Sequence, residues 1–540
     1  MPSNTAGSAP GTVVQPSVYT AEAPDRPGPI PPVSTGVTAF VGRAAMGQVE
    51  LATSVFSVAD FVRIFGTVDA AFPLSIAVED FFDHGGSEAV IVRLYTPTAS
   101  TGDGAACMSI GQGDGMFVLR AASPGAWGNR LTATIEIADI TEVTARQFED
   151  PYGLGAADLF NLTLALQDSA GAVILTERHL NLSIRSDGPA ANFPKRIDRV
   201  LGNQSTLGRV EHLPAACPGP GSWMAAGGDD GAPLTEPNYL GDHDRHTGFY
   251  ALETVLRFNL LVMPPDQAFD PARPETACDL PAAVRHAAAI YCTDRRAVFI
   301  VDPPFAWRDR SGENPLSALD RDALGVHGTN AAGNEIARNA ALYFPLLWGS
   351  AESGLRTPSG AVAGVIAAND VARGVWTAPA GSTAGLRIAR LDVALNDTDG
   401  ARLNQLGINC LRNLPTIGPV IWGGRTLHGA DQFEDDYKYL SVRRLALFIE
   451  DSIIAGTRWA AFESNDEQLW SSLQLAIDAF MGDLKRQGAF HDYYARCDAS
   501  TTTPDDIANG VVNALVFFAP IAPAEFIVLQ FSQMAGMPAA

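Results

Sequence analysis

The chain of 540 residues is long enough for about three to four domains of ~150 residues, and its 46% hydrophobic content supplies cores for them. A formal charge of −23, from 60 acidic against 37 basic residues, repels phosphate backbones, so no nucleic acid partner is expected. No segment reaches the ~18–20 uninterrupted apolar residues of a spanning helix, and no basic-then-apolar leader opens the chain, so neither direct membrane insertion nor a secretory signal peptide is expected.

Residues 1–36 hold eight prolines and little apolar bulk, so they cannot build a core alone. They read as an arm, with Val13, Val14, Val18 and Tyr19 as its strand-forming residues. Residues 37–95 alternate strand and helix. Val37 to Val41 is β-prone, Ser57 caps a helix that runs to Phe65, and Gly66 stops it. A second helix, Leu74 to Phe82, precedes the strand Ala89 to Leu94, a βαβ layout.

Residues 96–235 change to a period of two, at Leu131, Ala133, Ile135 and Ile137, then Leu162, Leu164 and Leu166, then Leu180, Leu182 and Ile184. This is a β-rich domain inserted between two parts of something else. Residues 236–400 return to α/β, with strands at Asn259 to Met263, Ala297 to Val301 and Ala340 to Leu347 and helices at Ala282 to Tyr291 and Ala361 to Val371.

Residues 401–540 carry two helical patterns. Leu440 to Thr457 has apolar residues at helical spacing and leaves Arg443, Arg444, Glu450 and Asp451 for a polar face. Ser464 to Glu467 reads as a capping box opening a helix striped by Leu469, Leu473, Ile477, Phe480 and Leu484, with Lys485 and Arg486 in its last turn and Gly488 as its stop. The run Ala524 to Gln530 is a terminal strand centred on Phe526, Ile527, Val528 and Leu529. An apolar strand at a terminus needs a sheet edge, its own or another chain's.

Little of this points to chemistry. The six cysteines have no CxxC spacing and read as reduced thiols. Asp242-His-Asp-Arg-His246 has metal-ligand residue types, but in a polar turn it reads as a solvated loop. Asn396-Asp-Thr-Asp-Gly400 opens like a calcium loop, yet counting from Asp397 the twelfth position is Ile408 instead of Glu. There is no GxxxxGK[ST], GxSxG or HExxH, so no catalytic residue, metal or cofactor is assigned. Asp302 before Pro303 ends a strand, where α/β enzymes put carboxylates and where plain turns also occur.

GGRTL (Gly423 to Leu427), YLSVRRL (Tyr439 to Leu445), FIEDSI (Phe448 to Ile453), FESNDEQLW (Phe462 to Trp470) and CDASTTTPDDIANG (Cys497 to Gly510) strongly resemble the sheath protein of contractile phage tails and contractile injection systems. So do FVGRAAMG (Phe40 to Gly47), FFDHGGSEAVIVRL (Phe81 to Leu94), AASPGAWGN (Ala121 to Asn129), the stretch Pro358 to Ala380, and GIN (Gly407 to Asn409). The resemblance implies a structural subunit rather than an enzyme. It implies helical self-assembly from hexameric rings around an inner tube protein, baseplate and cap proteins as further partners, and contraction that drives the tube through an envelope. Assembly would be cytoplasmic, before the subunit becomes part of a tail or injection particle.

It also implies that both chain ends form inter-subunit strands and that the C-terminal region faces the tube, with Arg443, Arg444, Arg458, Lys485 and Arg486 as the basic residues for that contact. The residues alone leave open a static tube or capsid polymer, or an α/β hydrolase. The expected fold is α/β (α+β) and multidomain: a mixed core from N- and C-terminal parts, an inserted β-rich domain at 96–235, an α/β domain at 236–400, a C-terminal core domain at 401–540 and extended terminal arms.

Overall fold

The computed structural model describes residues 28–98, 102–137, 140–270, 279–308, 316, 319–349, 354–429 and 435–525. The chain divides into two compact units, one of Val33–Asp451, Ala489–His491 and Pro520–Ala540, the other of Met1–Pro32, Ser452–Gly488 and Asp492–Ala519.

The larger unit is organised by an eight-stranded sheet. Strands β1 (Thr38–Gly42), β2 (Thr53–Val55) and β3 (Ala89–Arg93) come from the beginning of the chain. An insertion follows, with β4 (Cys107–Ile110), β5 (Phe117–Ala121), β6 (Leu131–Glu136), β7 (Phe160–Gln167), β8 (Val173–Leu182), β9 (Gly208–Val210) and β10 (Gly221–Met224). The large sheet then resumes with β11 (Leu260–Val262), β12 (Val298–Val301) and β13 (Ala340–Phe344). Three two-residue strands, β14 (Leu347–Trp348), β15 (Leu355–Arg356) and β16 (Arg390–Leu391), form a small sheet before β17 (Ile408–Leu414) and β18 (Gly418–Trp422). The large sheet has the order β18-β17-β13-β12-β11-β1-β3-β2. Its six inner strands are parallel, and only the edge strands β2 and β18 are antiparallel.

This order explains the run of wholly apolar strands. β1, β3, β11, β12 and β13 are buried on both faces, as a parallel sheet between helices must be. Alternate residues serve opposite layers. Ala39, Val41, Val90 and Val92 join the core that holds Val284, Ala288 and Cys292 of the helix Ala282–Asp294. Phe40 and Ile91 join the opposite core, beneath the helices Val58–Phe65, Pro73–Asp83 and Ser359–Arg373. The local signals are the ones read from the chain: Ser57 accepts from the Asp60 amide at 3.1 Å, and Gly66 has φ +94°. One sheet runs through residues 38–93, 260–344 and 408–422, so the divisions drawn at 236 and 401 fall within a single structural body.

Two helices on that second face touch through glycine. A Cβ on Gly360 would lie 2.2 Å from the Ala77 carbonyl oxygen, and one on Gly364 would lie 2.4 Å from that of Phe81. The backbones meet with nothing between them.

The insertion has its own sheets, β10-β6-β7-β8 and β4-β5-β9, antiparallel throughout. Leu131, Ala133, Ile135, Leu162, Leu164 and Leu166 fill its core as their period of two requires. Leu180 departs from it: Leu182 and Ile184 are buried, but Leu180 is 43% exposed. The register slips between Phe160 and Leu162, and Asn181 takes φ +56°, which re-aims the side chains before it.

Where β3 leads into the insertion, Arg93 is 1% exposed. It donates to the carbonyls of Ala44 (2.8 Å), Gly47 (2.6 Å), Ala45 (3.4 Å) and Pro124 (2.9 Å). Burial lowers its pKa to about 10, so it keeps its charge at neutral pH.

In the smaller unit, the helix Glu467–Arg486 buries Leu469, Leu473, Ile477, Phe480 and Leu484. Its N-cap is Asp466, which accepts from the Leu469 amide at 3.0 Å, two residues beyond the expected Ser464. Gly488 follows at φ +81°. Ile30 is 5% exposed, and a Cβ on Gly456 would strike it at 2.7 Å.

Gly360→Ala should cost about 2 kcal/mol through overpacking against the Ala77 carbonyl, read as a lowered urea midpoint. An unchanged midpoint would mean that the two helices can separate freely.

Candidate functional site

A pair of strands in the C-terminal region leaves large apolar side chains exposed. β19 (Phe490–Arg496) and β20 (Leu515–Pro520) make a sheet of two strands among the described residues. Between them Thr503 opens the short helix Pro504–Ala508 with a capping box to Asp506. Neither face of β20 is buried. Leu515 is 46% and Phe517 59% exposed, and the Phe517 ring lies 6.4 Å from that of the half-exposed Tyr494. Two strands alone are marginal in water. The sequence reading missed both strands. The aromatic runs DYY (Asp492 to Tyr494) and VFF (Val516 to Phe518) were the available signal.

The expected inter-subunit strand residues Val13, Val14, Val18 and Tyr19, and Phe526, Ile527, Val528 and Leu529, lie outside the described residues. The basic residues separate into two groups. Arg444 is 4% exposed, paired with Asp370 at 2.5 Å and donating to the Thr35 carbonyl at 2.8 Å. Arg443 donates to Asn339 Oδ1 at 2.9 and 3.0 Å, with its guanidinium 5.0 Å from the Tyr437 ring centre.

Helical spacing puts both arginines on a polar face together with Glu450 and Asp451. Instead the helix Leu440–Gly456 is buried on most sides, and Ser441, Leu447 and Phe448 are covered as well. Glu450 and Asp451 pair with Arg296 (3.1 Å) and Arg257 (3.2 Å). Arg458, Lys485 and Arg486 are exposed. Lys485 reaches Asp492 at 2.8 Å and Arg486 pairs with Asp483, surface pairs that contribute little and yield readily to another partner.

Two of the quoted motifs, sixteen residues apart at Asn409 and Arg425, meet inside the larger unit. The Asn409 side chain, 1% exposed on β17, accepts from the Arg425 amide at 2.7 Å and donates to the Arg425 carbonyl at 2.8 Å and the Leu342 carbonyl at 3.1 Å. A Cβ on Gly423 would lie 2.8 Å from Asn409 Oδ1. GIN and GGRTL are therefore two halves of one side-chain-to-backbone clamp.

The residues with enzyme-like chemistry have structural roles. Asp302 takes the Ser359 amide (3.1 Å) and hydroxyl (2.8 Å) where the helix Ser359–Arg373 begins. Burial pushes its carboxyl up to about 7, against the lowering effect of hydrogen bonds from the Ser359 and Thr357 hydroxyls. Asn396 caps the helix Asp397–Gln405 in a box with Asp399. His243 is exposed, and Asp242 caps its own turn through the amides of Asp244 and Arg245. No group of three metal-ligating side chains occurs among the described residues, and no described helix is long and apolar enough to cross a membrane.

Residues 433–533 match the phage tail sheath C-terminal domain family. The tail sheath protein of Vibrio phage KVP40 is 29% identical over 175 residues, 32% of this chain and 26% of that protein. A prophage major tail sheath protein of Pseudomonas aeruginosa is 29% identical over 188 residues, 33% of this chain and 47% of the relative. The chain thus spans about a quarter to a half of the length of these curated relatives.

Solved structures share the fold over nearly the whole chain. The sheath of the extracellular contractile injection system PVC, in its contracted state, has a TM-score of 0.53 at 18% identity, covering 97% of this chain and 99% of that one. The contracted helical sheath of the anti-feeding prophage gives 0.52 at 20%, covering 97% and 100%. A sheath tail protein of Listeria innocua gives 0.56 at 11%, covering 90% and 96%.

Asp302 supplies a pH test of its capping role. The native carboxyl holds its proton up to about pH 7, whereas the unfolded one releases it near 3.8. Its stabilising contribution is full below about pH 4 and declines as pH rises to about 7, by at most about 1.4 kcal/mol per pH unit. Asp302→Asn should remove that component from the pH dependence of the urea midpoint. An identical pH profile in the variant would mean that Asp302 is ionised throughout.

Proposed function

We infer that this chain, which belongs to the tail sheath proteins of phage tails and contractile injection systems, polymerises helically around an inner tube and contracts to drive that tube through a target envelope. The observation that carries the reading is the match of the C-terminal domain together with whole-chain similarity of fold to contracted sheaths. It is a structural subunit, and the anti-feeding prophage relatives, seen in helical sheath and in baseplate assemblies, support self-assembly and a baseplate contact for this chain too. Hexameric rings, a cap protein, cytoplasmic assembly and the inner tube as direct partner are the finer parts of the same proposal.

The physical argument runs through the β19–β20 pair. β20 leaves Leu515 and Phe517 exposed, and the two chain ends, one around Val13 to Tyr19 and one around Phe526 to Leu529, carry β-prone residues. Main-chain hydrogen bonds from such donated strands, each worth ~1 kcal/mol net, recur at every subunit along a tube. Links of this kind persist while rigid bodies rotate, because the connecting segment absorbs the motion. The exposed residues Arg458, Lys485 and Arg486 supply positive charge on a subunit of net −23 and are the tube-facing candidates that remain accessible.

Electron microscopy of the purified protein tests the reading: tubes of two lengths and diameters are expected, whereas a single tube form would make it a static polymer and small monodisperse particles would refute assembly. Deleting residues 1–22 should leave a folded monomer, by circular dichroism, that makes no long contraction-competent tubes. Reversing charge at Lys485 and Arg486 should weaken co-sedimentation with tube protein more at low salt than at high salt. A salt-independent loss would assign that surface to packing.

A further inference from the structure

The described chain ends beside a buried cation. Arg425, in the loop after β18, has a side chain only 2% exposed, and Glu525, the last residue described, one 17% exposed. Arg425 Nε donates to Glu525 Oε1 at 2.9 Å and Nη2 donates to Oε2, so the planar guanidinium grips both carboxylate oxygens. Its remaining nitrogen, Nη1, donates to the carbonyls of Asn404 (3.1 Å) and Gly429 (2.9 Å). The backbone of Arg425 is in turn clamped by Asn409 on β17, an inner strand of the large sheet. The chain of contacts therefore leads from Glu525 through a rigid fork into the large sheet at β17. Pulling Glu525 out would strip a guanidinium of a two-pronged carboxylate in a place where water barely reaches, and breaking such a buried pair is among the costlier single losses a fold can suffer.

We propose that Arg425 is the socket that anchors the C-terminal segment, so that Glu525 stays seated in its own subunit while subunits are linked and moved. Tension on that segment then passes into the large sheet through Asn409. GGRTL and GIN acquire one purpose, with Gly423 leaving room for Asn409 to hold Arg425 and Arg425 holding the arm. The proposal rests on the sheath reading for its consequence in assembly, but the anchor itself can be read in the isolated subunit.

The test uses the full chain with Glu525→Gln and Glu525→Ala, beside a variant lacking residues 526–540. Amide hydrogen exchange in the soluble subunits reads the anchor directly: residues 520–525 should exchange about tenfold faster in Glu525→Ala, with the strands of the large sheet unchanged. Electron microscopy should then show shorter tubes, or tubes that separate on contraction. Unchanged exchange at 520–525, or normal contracting tubes from both substituted proteins, would overturn the proposal. So would loss of folding in both, because the pair would then be holding the body instead of the arm. The truncated variant separates the two ideas, since normal tubes from it would refute the arm's role in linkage whatever the exchange data show.

Discussion

The ladder that places β1 between β3 and β11 is the constraint on which the rest of the structure depends. It pairs Thr38 with both Ala89 and Leu260, so residues more than two hundred positions apart share one sheet. Closing so long a loop costs conformational entropy, but that cost grows only with the logarithm of length. A strand buried on both faces easily offsets it, at roughly 25 cal/mol per Å² of apolar surface removed from water. The β-rich residues between β3 and β11 then form sheets of their own around a distinct hydrophobic cluster.

Buried arginines then fix the joints that the sheet creates. Arg93 draws the loop Ala44–Gly47 and Pro124 of the insertion onto the end of β3. Arg444 ties the long helix to Asp370 and to the chain at Thr35. Arg425 ties a loop to the C-terminal segment. In each case the guanidinium binds carbonyls or a carboxylate in fixed directions, which apolar contact does not do. Five donors in a rigid plane specify an angle as well as a distance.

Much of this was legible in the chain. The inner strands β1, β3, β11, β12 and β13 read correctly because wholly apolar runs between glycines and helices leave few alternatives, whereas the mixed run of β17 (INCLRNL) was not assigned as a strand, and helix ends such as Ser57 and Gly66 followed from capping chemistry. The family resemblance was carried by FVGRAAMG, AASPGAWGN, GIN and GGRTL, and the structure gives each a mechanical reason. The first two surround Arg93, and the last two form the Asn409–Arg425 clamp. Those reasons were not legible, because the partners are separated by 16 to 49 residues and no local period records such a pairing.

The sequence by itself determined the alternation of α/β and β-rich segments, the faces that must be buried, and the absence of any local pattern for phosphate, metal or nucleophile chemistry. Tertiary structure alone decided which charges are available to a partner. Arg443, Arg444 and Lys485 all sit on helical patterns with acidic neighbours, yet the first two are committed to Asn339 and Asp370 inside the body while the third is exposed. A helix of period 3.6 reveals which side is apolar, but whether its polar side meets water or another layer depends on what packs there. That is a property of the whole fold.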